Sequence, residues 1–372
     1  MKKRLIIILL FIIIFIIILL FLLVKKPKIK PIIKEKKTLE LPEKEQKIIE
    51  KSIKQKIIIS KKKAEEIDYD VFMAKINQKG QILWQKNFNN KFVDWAEFIC
   101  QTNENNYLLL CRSYNINDLQ DKFFVIKTDE NGNLLWQKDF EEFYISEEKT
   151  QKIKDGFITI GRTLIGDKKE YEIYLSATDL DGNYLWTKNL GSKYFEWGYF
   201  VLMSDDGTYL IGEDINYPDI NLDFYLKKKD INGKDLWMQS YGIKDLNKGY
   251  AIIPAIDAGY LLVGVSYLYG EEKSYAYILK IDNNGNKIWE KIFGDAGYNE
   301  IFSIVKDGSS GYILAGATNS KTTGLYDVYI IKTDIAGNLI WEKKYGGTGN
   351  DAVYWISNCN DGNFILAGVT QK

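Results

Sequence analysis

The sequence predicts an all-β fold built from six copies of one four-stranded antiparallel unit. The first observation is the string DENGNLLWQK at residues 129–138, which returns in altered form five more times. The second is its period: successive tryptophans stand 50 to 52 residues apart, as in proteins that repeat one supersecondary unit. The third is that no helical period is sustained after residue 68. The tryptophans are Trp84, Trp136, Trp186, Trp237, Trp289 and Trp341.

Each copy contains four short runs of β-branched and aromatic residues separated by turn residues, which predicts four strands. In one copy the runs are Ile301–Val305, Tyr312–Ala315, Asp327–Lys332 and Asn338–Lys343. A glycine after the second run, Gly316, is expected to end that strand. The equivalent positions are Gly161, Gly212, Gly264 and Gly368, with Cys111 in the first copy.

A D-x-x-G element precedes five of the six tryptophans and predicts a tight turn; in the first copy Asn77 takes the place of the aspartate. Its aspartate accepts hydrogen bonds from backbone N–H groups two residues on, and its glycine takes the positive φ of a hairpin. A calcium loop is a second interpretation, but it needs six to eight oxygens and a late bidentate glutamate, which is missing. We therefore predict turn chemistry and no metal or other cofactor. The pairs are Asp129 and Gly132, Asp179 and Gly182, Asp230 and Gly233, Asp282 and Gly285, and Asp334 and Gly337.

The six tryptophans are predicted to be structural and to dock each sheet against the next. A large aromatic side chain that buries ~150–250 Å² contributes roughly 4–6 kcal/mol gross, an upper bound before entropy. No catalytic role is predicted for them.

The two ends of the repeat region predict a closed ring. The region begins with a third and a fourth strand, Asp70–Lys75 and Gln81–Lys86, and ends with a first and a second, Ala352–Ser357 and Asn363–Gly368. An open array would leave both half-units as exposed edges, which are a liability. The prediction is therefore a six-bladed β-propeller of four-stranded antiparallel blades, closed by N- and C-terminal strands that share one blade.

The string K-x-D-x-x-G-x-x-x-W resembles the tryptophan-docking motif of quinoprotein-like β-propellers. It is present at Lys127, Asp129, Gly132 and Trp136. The chain also resembles repeat propellers of unknown role in secreted or membrane-anchored bacterial and archaeal proteins. This resemblance covers residues 68–372 and implies the fold. The quinone enzymes of that superfamily have eight blades and vicinal cysteines, which this chain lacks, so the resemblance does not imply a quinone cofactor.

The N-terminus predicts a transmembrane signal-anchor over residues 1–24. Leu5–Val24 is an unbroken apolar run, and a helix of about 20 residues spans the hydrocarbon layer. Its length and the absence of small residues at a cleavage site argue against a removable signal peptide. A Lys-rich spacer, residues 25–67, follows. Lysines flank both sides of the span, so the charge rule by itself favours a cytoplasmic body, but long domains cross membranes largely regardless of charge. We expect an extracytoplasmic propeller.

Charge and composition narrow the function. Residues 1–67 carry 18 basic against 7 acidic residues, and residues 68–372 carry 32 against 43. The acidic body argues against nucleic acid as a partner. The absence of histidine excludes Ser-His-Asp and Cys-His catalysis. Of the three cysteines, Cys100 and Cys111 are close enough in sequence to face each other across a hairpin.

Three further tryptophans and three neighbouring acids are the candidate ligand-binding residues. They fall near the predicted first strands of their copies, where, if first strands line the channel, they would ring one mouth. Aromatic faces beside carboxylates are suited to hold sugar rings or peptides. The alternative interpretation is that they fill gaps between imperfect repeats. The residues are Asp94, Trp95, Glu196, Trp197, Asp351 and Trp355.

The functional hypothesis is a membrane-anchored, extracytoplasmic propeller that acts as a non-catalytic binding or scaffolding module for a protein or glycan. Its predicted partners are membrane lipid, through residues 5–24, and an unknown protein or glycan. One alternative is a cell-envelope polysaccharide hydrolase or lyase that uses channel-mouth carboxylates. Another is an anchored scaffold that faces the cytoplasm.

Overall fold

The computed structural model describes residues 69–371, apart from 90–92, 103, 116–119, 141–148, 154–155, 166–169, 180–183, 190–195, 204–208, 216–223, 231–233, 242–246, 268–272 and 321–324. The predicted anchor (1–24) and spacer (25–67) therefore lie outside the described residues, as do Gly182 and Gly233. Within the described part of the chain, no helix is long and apolar enough to cross a membrane.

Every regular element of the described chain is a strand, which confirms the all-β prediction. The first twelve strands are β1 (Tyr69–Ile76), β2 (Ile82–Phe88), β3 (Val93–Gln101), β4 (Tyr107–Asn115), β5 (Gln120–Thr128), β6 (Leu134–Phe140), β7 (Lys149–Ile153), β8 (Gly156–Ile165), β9 (Glu170–Asp179), β10 (Tyr184–Asn189), β11 (Glu196–Met203) and β12 (Tyr209–Ile215). The others are β13 (Phe224–Lys229), β14 (Asp235–Tyr241), β15 (Asn247–Pro254), β16 (Tyr260–Tyr267), β17 (Ser274–Ile281), β18 (Lys287–Phe293), β19 (Asn299–Asp307), β20 (Gly311–Thr318), β21 (Asp327–Asp334), β22 (Leu339–Tyr345), β23 (Asp351–Asn358) and β24 (Phe364–Gln371).

Antiparallel pairing groups these strands in fours. Five groups pair in chain order and are called sheets 1 to 5: β3–β6, β7–β10, β11–β14, β15–β18 and β19–β22. The remaining four strands, called sheet 6, pair in the order β23, β24, β1, β2. A single parallel pair, Tyr69 with Val93, joins sheet 6 to sheet 1.

The predicted pairing between the two ends of the repeat region is present in sheet 6. Strands β1 and β24 pair in antiparallel orientation from Tyr69 opposite Gln371 to Ile76 opposite Phe364. The half-units at the two ends thus complete one sheet, and neither is left as an open edge.

The first strands of neighbouring sheets contact one another in an order that returns to its start. Strand β3 contacts β7, β7 contacts β11, β11 contacts β15, β15 contacts β19, β19 contacts β23, and β23 contacts β3. Outside sheet 2, exposure is greatest in the fourth strand of each sheet. In sheet 5, β20 is buried along its whole length, whereas β22 is exposed or half-buried.

The repeated tryptophan lies against the turn glycine of the following sheet. A β-carbon placed on Gly132 would fall 2.7 Å from Cζ3 of Trp84, and one on Gly337 would fall 2.6 Å from Cη2 of Trp289. Trp237 approaches Gly285 in the same way. The turn glycine is therefore required for two reasons, because its φ is positive and because the indole ring occupies the space of a side chain. Trp186 has no described side chain.

The same contact joins sheet 5 to the turn between β1 and β2 in sheet 6. A β-carbon on Gly80 would fall 2.7 Å from Cη2 of Trp341, and the hydroxyl of Tyr345 donates to the carbonyl of Gly80. Sheets 5 and 6 are thus joined by the contact that joins sheets 4 and 5.

The glycine expected to end the second strand lies inside it, so that expectation is wrong. Strand β20 continues through Gly316 to Thr318. The reason is a β-bulge in the neighbouring strand, where the register shifts between Ile301 and Ser303. The bulge brings the carbonyl oxygen of Glu300 within 1.9 Å of the place where a β-carbon on Gly316 would be, so only glycine fits without a shift of the backbone.

The lysine of the K-x-D motif forms an ion pair within its own sheet. Lys332 lies 2.6 Å from Asp307, and Lys75 lies 2.8 Å from Asp361. In both pairs the carboxylate belongs to the hairpin between the first and second strands. The lysine on the third strand thus holds the hairpin between the first and second strands of the same sheet.

Cys100 and Cys111 do not face each other. Strand pairing places Cys100 opposite Leu108 and Cys111 opposite Ala96. Both thiols are buried and neither forms a disulfide. The same holds for Cys359, whose sulfur lies 3.7 Å from the hydroxyl of Tyr107.

Candidate binding site on the first-strand face

The first strands carry a β-bulge at one fixed position, three residues after the strand's acidic or amide residue. A register shift leaves one residue unpaired in sheets 1, 3, 4, 5 and 6. Bulges re-aim a side chain, and here the aromatic members meet across sheets. The ring centroids of Tyr250 and Phe302 are 5.2 Å apart, and those of Phe302 and Tyr354 are 5.3 Å apart. The bulge residues are Glu97, Tyr199, Tyr250, Phe302 and Tyr354.

In sheet 1 the bulge residue is a carboxylate held by two neighbours. The indole N–H of Trp95 donates to Oε1 of Glu97 at 2.7 Å, and Nη1 of Arg112 lies 3.8 Å from the same oxygen. The guanidinium also covers the Trp95 ring at 5.3 Å. The side chains of Arg112 and Glu97 are 13% and 17% exposed. These contacts fix the indole, the carboxylate and the guanidinium relative to one another.

A second carboxylate, Glu300 in sheet 5, lies among tyrosines. The hydroxyl of Tyr267 donates to its Oε1 at 3.3 Å. Burial raises the pKa of Glu300, and the hydrogen bond from Tyr267 and the charge of Lys248 oppose this shift. The pKa of Tyr354 is raised to about 12, mainly by burial. Electrostatic interactions with Glu97, Tyr69 and Glu300 contribute in the same direction. Glu97 in sheet 1 and Glu300 in sheet 5 therefore both raise the pKa of Tyr354.

The structure places the predicted ligand-binding residues in three different settings. Trp95 belongs to the cluster around Glu97. Trp355 packs against Phe98, with ring centroids 4.9 Å apart, and its indole N–H donates to Oγ of Ser357 at 3.2 Å. It fills space between sheets 6 and 1. Glu196 and Trp197 lie on β11, and their side chains are outside the described atoms.

Asp94 and Asp351 are buried at the starts of their strands. The carboxylate of Asp351 accepts a hydrogen bond from the backbone N–H of Gly347 at 3.1 Å and one from the hydroxyl of Thr370. Asn299, in the same column, donates to the carbonyl of Ser274 at 2.9 Å. This column ties strand ends to adjacent segments.

The turn aspartates with described side chains accept hydrogen bonds within their own turns. Oδ1 of Asp129 accepts from the backbone N–H groups of Asn131 and Asn133 at 2.9 and 2.8 Å, and Oδ2 accepts from the side chain of Asn133 at 2.9 Å. Hydrogen bonds from Asn133 hold the pKa of Asp129 below its usual range. Among the described residues no group of three or more acidic or cysteine side chains is placed to hold a metal ion.

The predicted site omitted Glu97, Glu300 and Tyr354. A signal for Glu97 and Tyr354 exists in the sequence. The position three residues after the acidic or amide column is aromatic in four of the five copies that carry the bulge, and glutamate in the fifth. Its meaning depends on the bulge, because the unpaired residue is aimed differently from its neighbours.

No family model matches the chain, and no curated protein matches it. Solved structures similar to it include a member of the DUF4221 family from Bacteroides vulgatus (10% identity, TM-score 0.38, 83% of this chain and 99% of that chain). The β-propeller domain of the Trilobed protease from Pyrococcus furiosus is another (12% identity, TM-score 0.35, 68% and 71%). A eukaryotic initiation factor is a third (13% identity, TM-score 0.32, 74% and 58%), and the chain thus spans less than two thirds of its length. The structural neighbours of this all-β chain therefore include β-propeller proteins, and similarity at this level says nothing about what the chain binds.

Proposed function

We propose that the chain is a six-bladed β-propeller of the quinoprotein-like, tryptophan-docking kind. The order of contacts between first strands returns to its start, as a ring requires. The Trp341 contact with Gly80 repeats the contact of Trp289 with Gly337, which supports closure through sheet 6. In this arrangement the first strands line a central channel, and the bulge residues Glu97, Tyr250, Phe302 and Tyr354 point toward it.

We propose further that this propeller is held at a membrane by residues 5–24, outside the cytoplasm, and works as a non-catalytic module that binds a protein or a glycan. The observation that carries the binding role is the cluster of Trp95, Glu97 and Arg112. Its groups are fixed by mutual contacts at 2.7 to 5.3 Å, and preorganised groups lose less entropy when a ligand binds. Aromatic and arginine side chains are also enriched among residues that dominate binding energy.

Cross-linking on intact cells tests the binding role. The tagged full-length chain is compared with a chain that lacks residues 68–372 and with the variants Trp95→Ala and Trp355→Ala. We expect one cross-linked partner that requires the propeller and is lost with Trp95→Ala but kept with Trp355→Ala, since Trp355 packs between sheets. A partner recovered equally from Trp95→Ala would contradict this site.

Protease treatment of the same cells tests the orientation. We expect a membrane-impermeant protease to remove the propeller from intact cells. A propeller cut only after lysis would favour the cytoplasm-facing scaffold instead.

One observation favours the second function, an envelope polysaccharide hydrolase or lyase. Burial raises the pKa of Glu300, whereas Glu97 lies beside Arg112. Two carboxyl groups in such different settings are the pattern expected of a general acid and its ionised partner. Turnover of an envelope polysaccharide that Glu300→Gln abolishes, while the folded fraction is unchanged, would support this function over the first.

A further inference from the structure

A cavity of about 340 Å³ lies between sheets 6 and 1, and none of the bulge residues lines it. Sheet 6 contributes Trp84 and Asp361, and sheet 1 contributes Gln101, Asn105 and Asn131. Small-molecule sites in proteins measure roughly 300–1,000 Å³, so the cavity has room for a compact ligand.

Hydrogen bonds between the two sheets hold one wall of this cavity. The backbone N–H of Asn360 donates to Oε1 of Gln101 at 2.7 Å, and its side-chain amide donates to Oδ1 of Asn105 at 2.9 Å. The side chain of Gln101 donates to the carbonyl of Asn105 at 3.2 Å. Asn105 has a left-handed φ of 64°, a conformation that asparagine adopts more readily than most residues. The wall is thus built by specific contacts.

The opposite wall is the exposed turn of sheet 1, which carries Glu130 and Asn131. The Trp84 indole lies at the same cavity, against Gly132 of that turn. The cavity therefore combines amide groups, which both donate and accept hydrogen bonds, with carboxylates, which accept them, and one aromatic ring.

Near the equivalent space between sheets 5 and 6, the residue that corresponds to Glu130 makes contacts within sheet 6 and with sheet 5. That residue, Gln78, donates from its side chain to the carbonyl of Gly362 at 3.4 Å, and Lys332 donates to the Gln78 carbonyl at 3.5 Å. The first of these contacts is not possible with glutamate at position 130, because a carboxylate accepts hydrogen bonds but does not donate them. The groove between sheets 6 and 1 therefore differs at this position from the space between sheets 5 and 6.

The charges of the groove select against anionic ligands. Asp361 is paired with Lys75 at 2.8 Å, and Glu130 adds one further negative charge, which repels anions. The amides and carboxylates suit a ligand rich in hydroxyl groups, and an indole suits the apolar C–H face of a sugar ring.

We propose that the groove between sheets 6 and 1 binds a neutral oligosaccharide. Amide and carboxylate groups of Gln101, Asn131 and Asp361 bond its hydroxyls, and the indole of Trp84 covers one ring face. This site is separate from the cluster around Glu97, and the proposal holds whether or not that cluster binds a ligand.

Calorimetry on the full-length chain, in a detergent without a sugar headgroup, tests the proposal. The probes are neutral trisaccharides of glucose, mannose, galactose and N-acetylglucosamine, beside a trimer of galacturonic acid. The test variant is Asn131→Ala. Its control is Asn284→Ala, which is exposed at the same position of the sheet 4 turn, and in both turns the backbone N–H of this residue donates to the turn aspartate.

We expect one neutral trisaccharide to bind and Asn131→Ala to weaken that binding about threefold to tenfold, the effect of one lost hydrogen-bonding group. Asn284→Ala should bind as the unaltered chain does. Binding to none of the neutral sugars, equal loss in both variants, or tighter binding of the acidic trimer would each overturn the proposal.

Discussion

The outer side of each sheet carries a side-chain contact that repeats from sheet to sheet, whereas the first strand carries a position that varies. On the outer side the same pair recurs from sheet to sheet, a tryptophan against the next sheet's turn glycine, as with Trp84 and Gly132 and with Trp289 and Gly337. On the first strands the bulge position changes from glutamate at Glu97 to phenylalanine at Phe302. The outer pair repeats because every sheet must dock on its neighbour in the same way. The bulge position varies from sheet to sheet, so its side chains do not all make one shared contact.

The largest expected effect comes from removing one member of the repeated pair. Trp289→Ala should lower the free energy of unfolding by about 3–5 kcal/mol, since it leaves a cavity against Gly337. Urea denaturation measures this. The matched control is Ile288→Ala, because Ile288 is 56% exposed and exposed positions change stability by roughly 0.5 kcal/mol or less. Equal effects of the two substitutions would contradict the docking account.

The second effect concerns the glycine opposite the bulge. Gly316→Ala places a β-carbon 1.9 Å from the carbonyl of Glu300, and such overpacking costs about 1–3 kcal/mol. Gly347→Ala is the control, since a β-carbon there has no neighbour within 4 Å. Thermal unfolding of both variants checks the prediction. An unchanged midpoint for Gly316→Ala would mean that the bulge is absent.

The third effect is a pH dependence on the first-strand face. The pKa of Glu300 is raised above its ordinary 4.5 because the folded protein buries it. The folded state therefore binds the proton more tightly, and stability falls as the pH rises from 4.5 through the raised value. Glu300→Gln should be more stable than the unaltered chain near neutrality, and the difference should shrink below 4.5. Urea denaturation at the two pH values measures it, and a difference that grows on acidification would contradict this sign.

The smallest effect belongs to an exposed turn. Hydrogen bonds from the backbone and side chain of Asn338 hold the pKa of Asp334 below its ordinary 3.8. The stabilisation is complete above 3.8 and is lost as the pH falls through the lowered value. Asp334→Ala should therefore lower the melting temperature less than Gly316→Ala does, and only at a pH above the range in which Asp334 takes up its proton. A melting-temperature difference that persists in stronger acid would show that the turn is stabilised by something other than these hydrogen bonds.

Much of the fold was predictable because the sequence repeats. A turn aspartate, its glycine and a tryptophan recur at a period of 50 to 52 residues, so each copy supports the assignment of the others. The pairing of β1 with β24 followed from the incomplete units at the two ends. The strand end expected at Gly316 failed because the residues that require glycine there belong to the neighbouring strand.

The candidate site was less predictable because a bulge changes which face a residue occupies. Trp355 follows the bulge residue Tyr354 directly, and the extra residue sends it against Phe98 between the sheets. An acid beside an aromatic residue is also ambiguous in sequence. Asp351 ties its strand to Thr370, while Glu97 is held beside Trp95 on the first-strand face. Only the pairing register separates the two cases.

The pairing of β1 with β24 also has a consequence for the order of events at the ribosome. Strand β1 is among the first of the described strands to be synthesised, yet its partner begins only at Phe364. At roughly 5–20 residues per second, the emerging β1 waits on the order of 15–60 s for that partner. Throughout that interval a strand rich in apolar residues is available to any neighbouring chain that presents an unpaired strand. The nascent chain is therefore most vulnerable to aggregation before the last strand emerges, and a chaperone that covers β1 would act in that window.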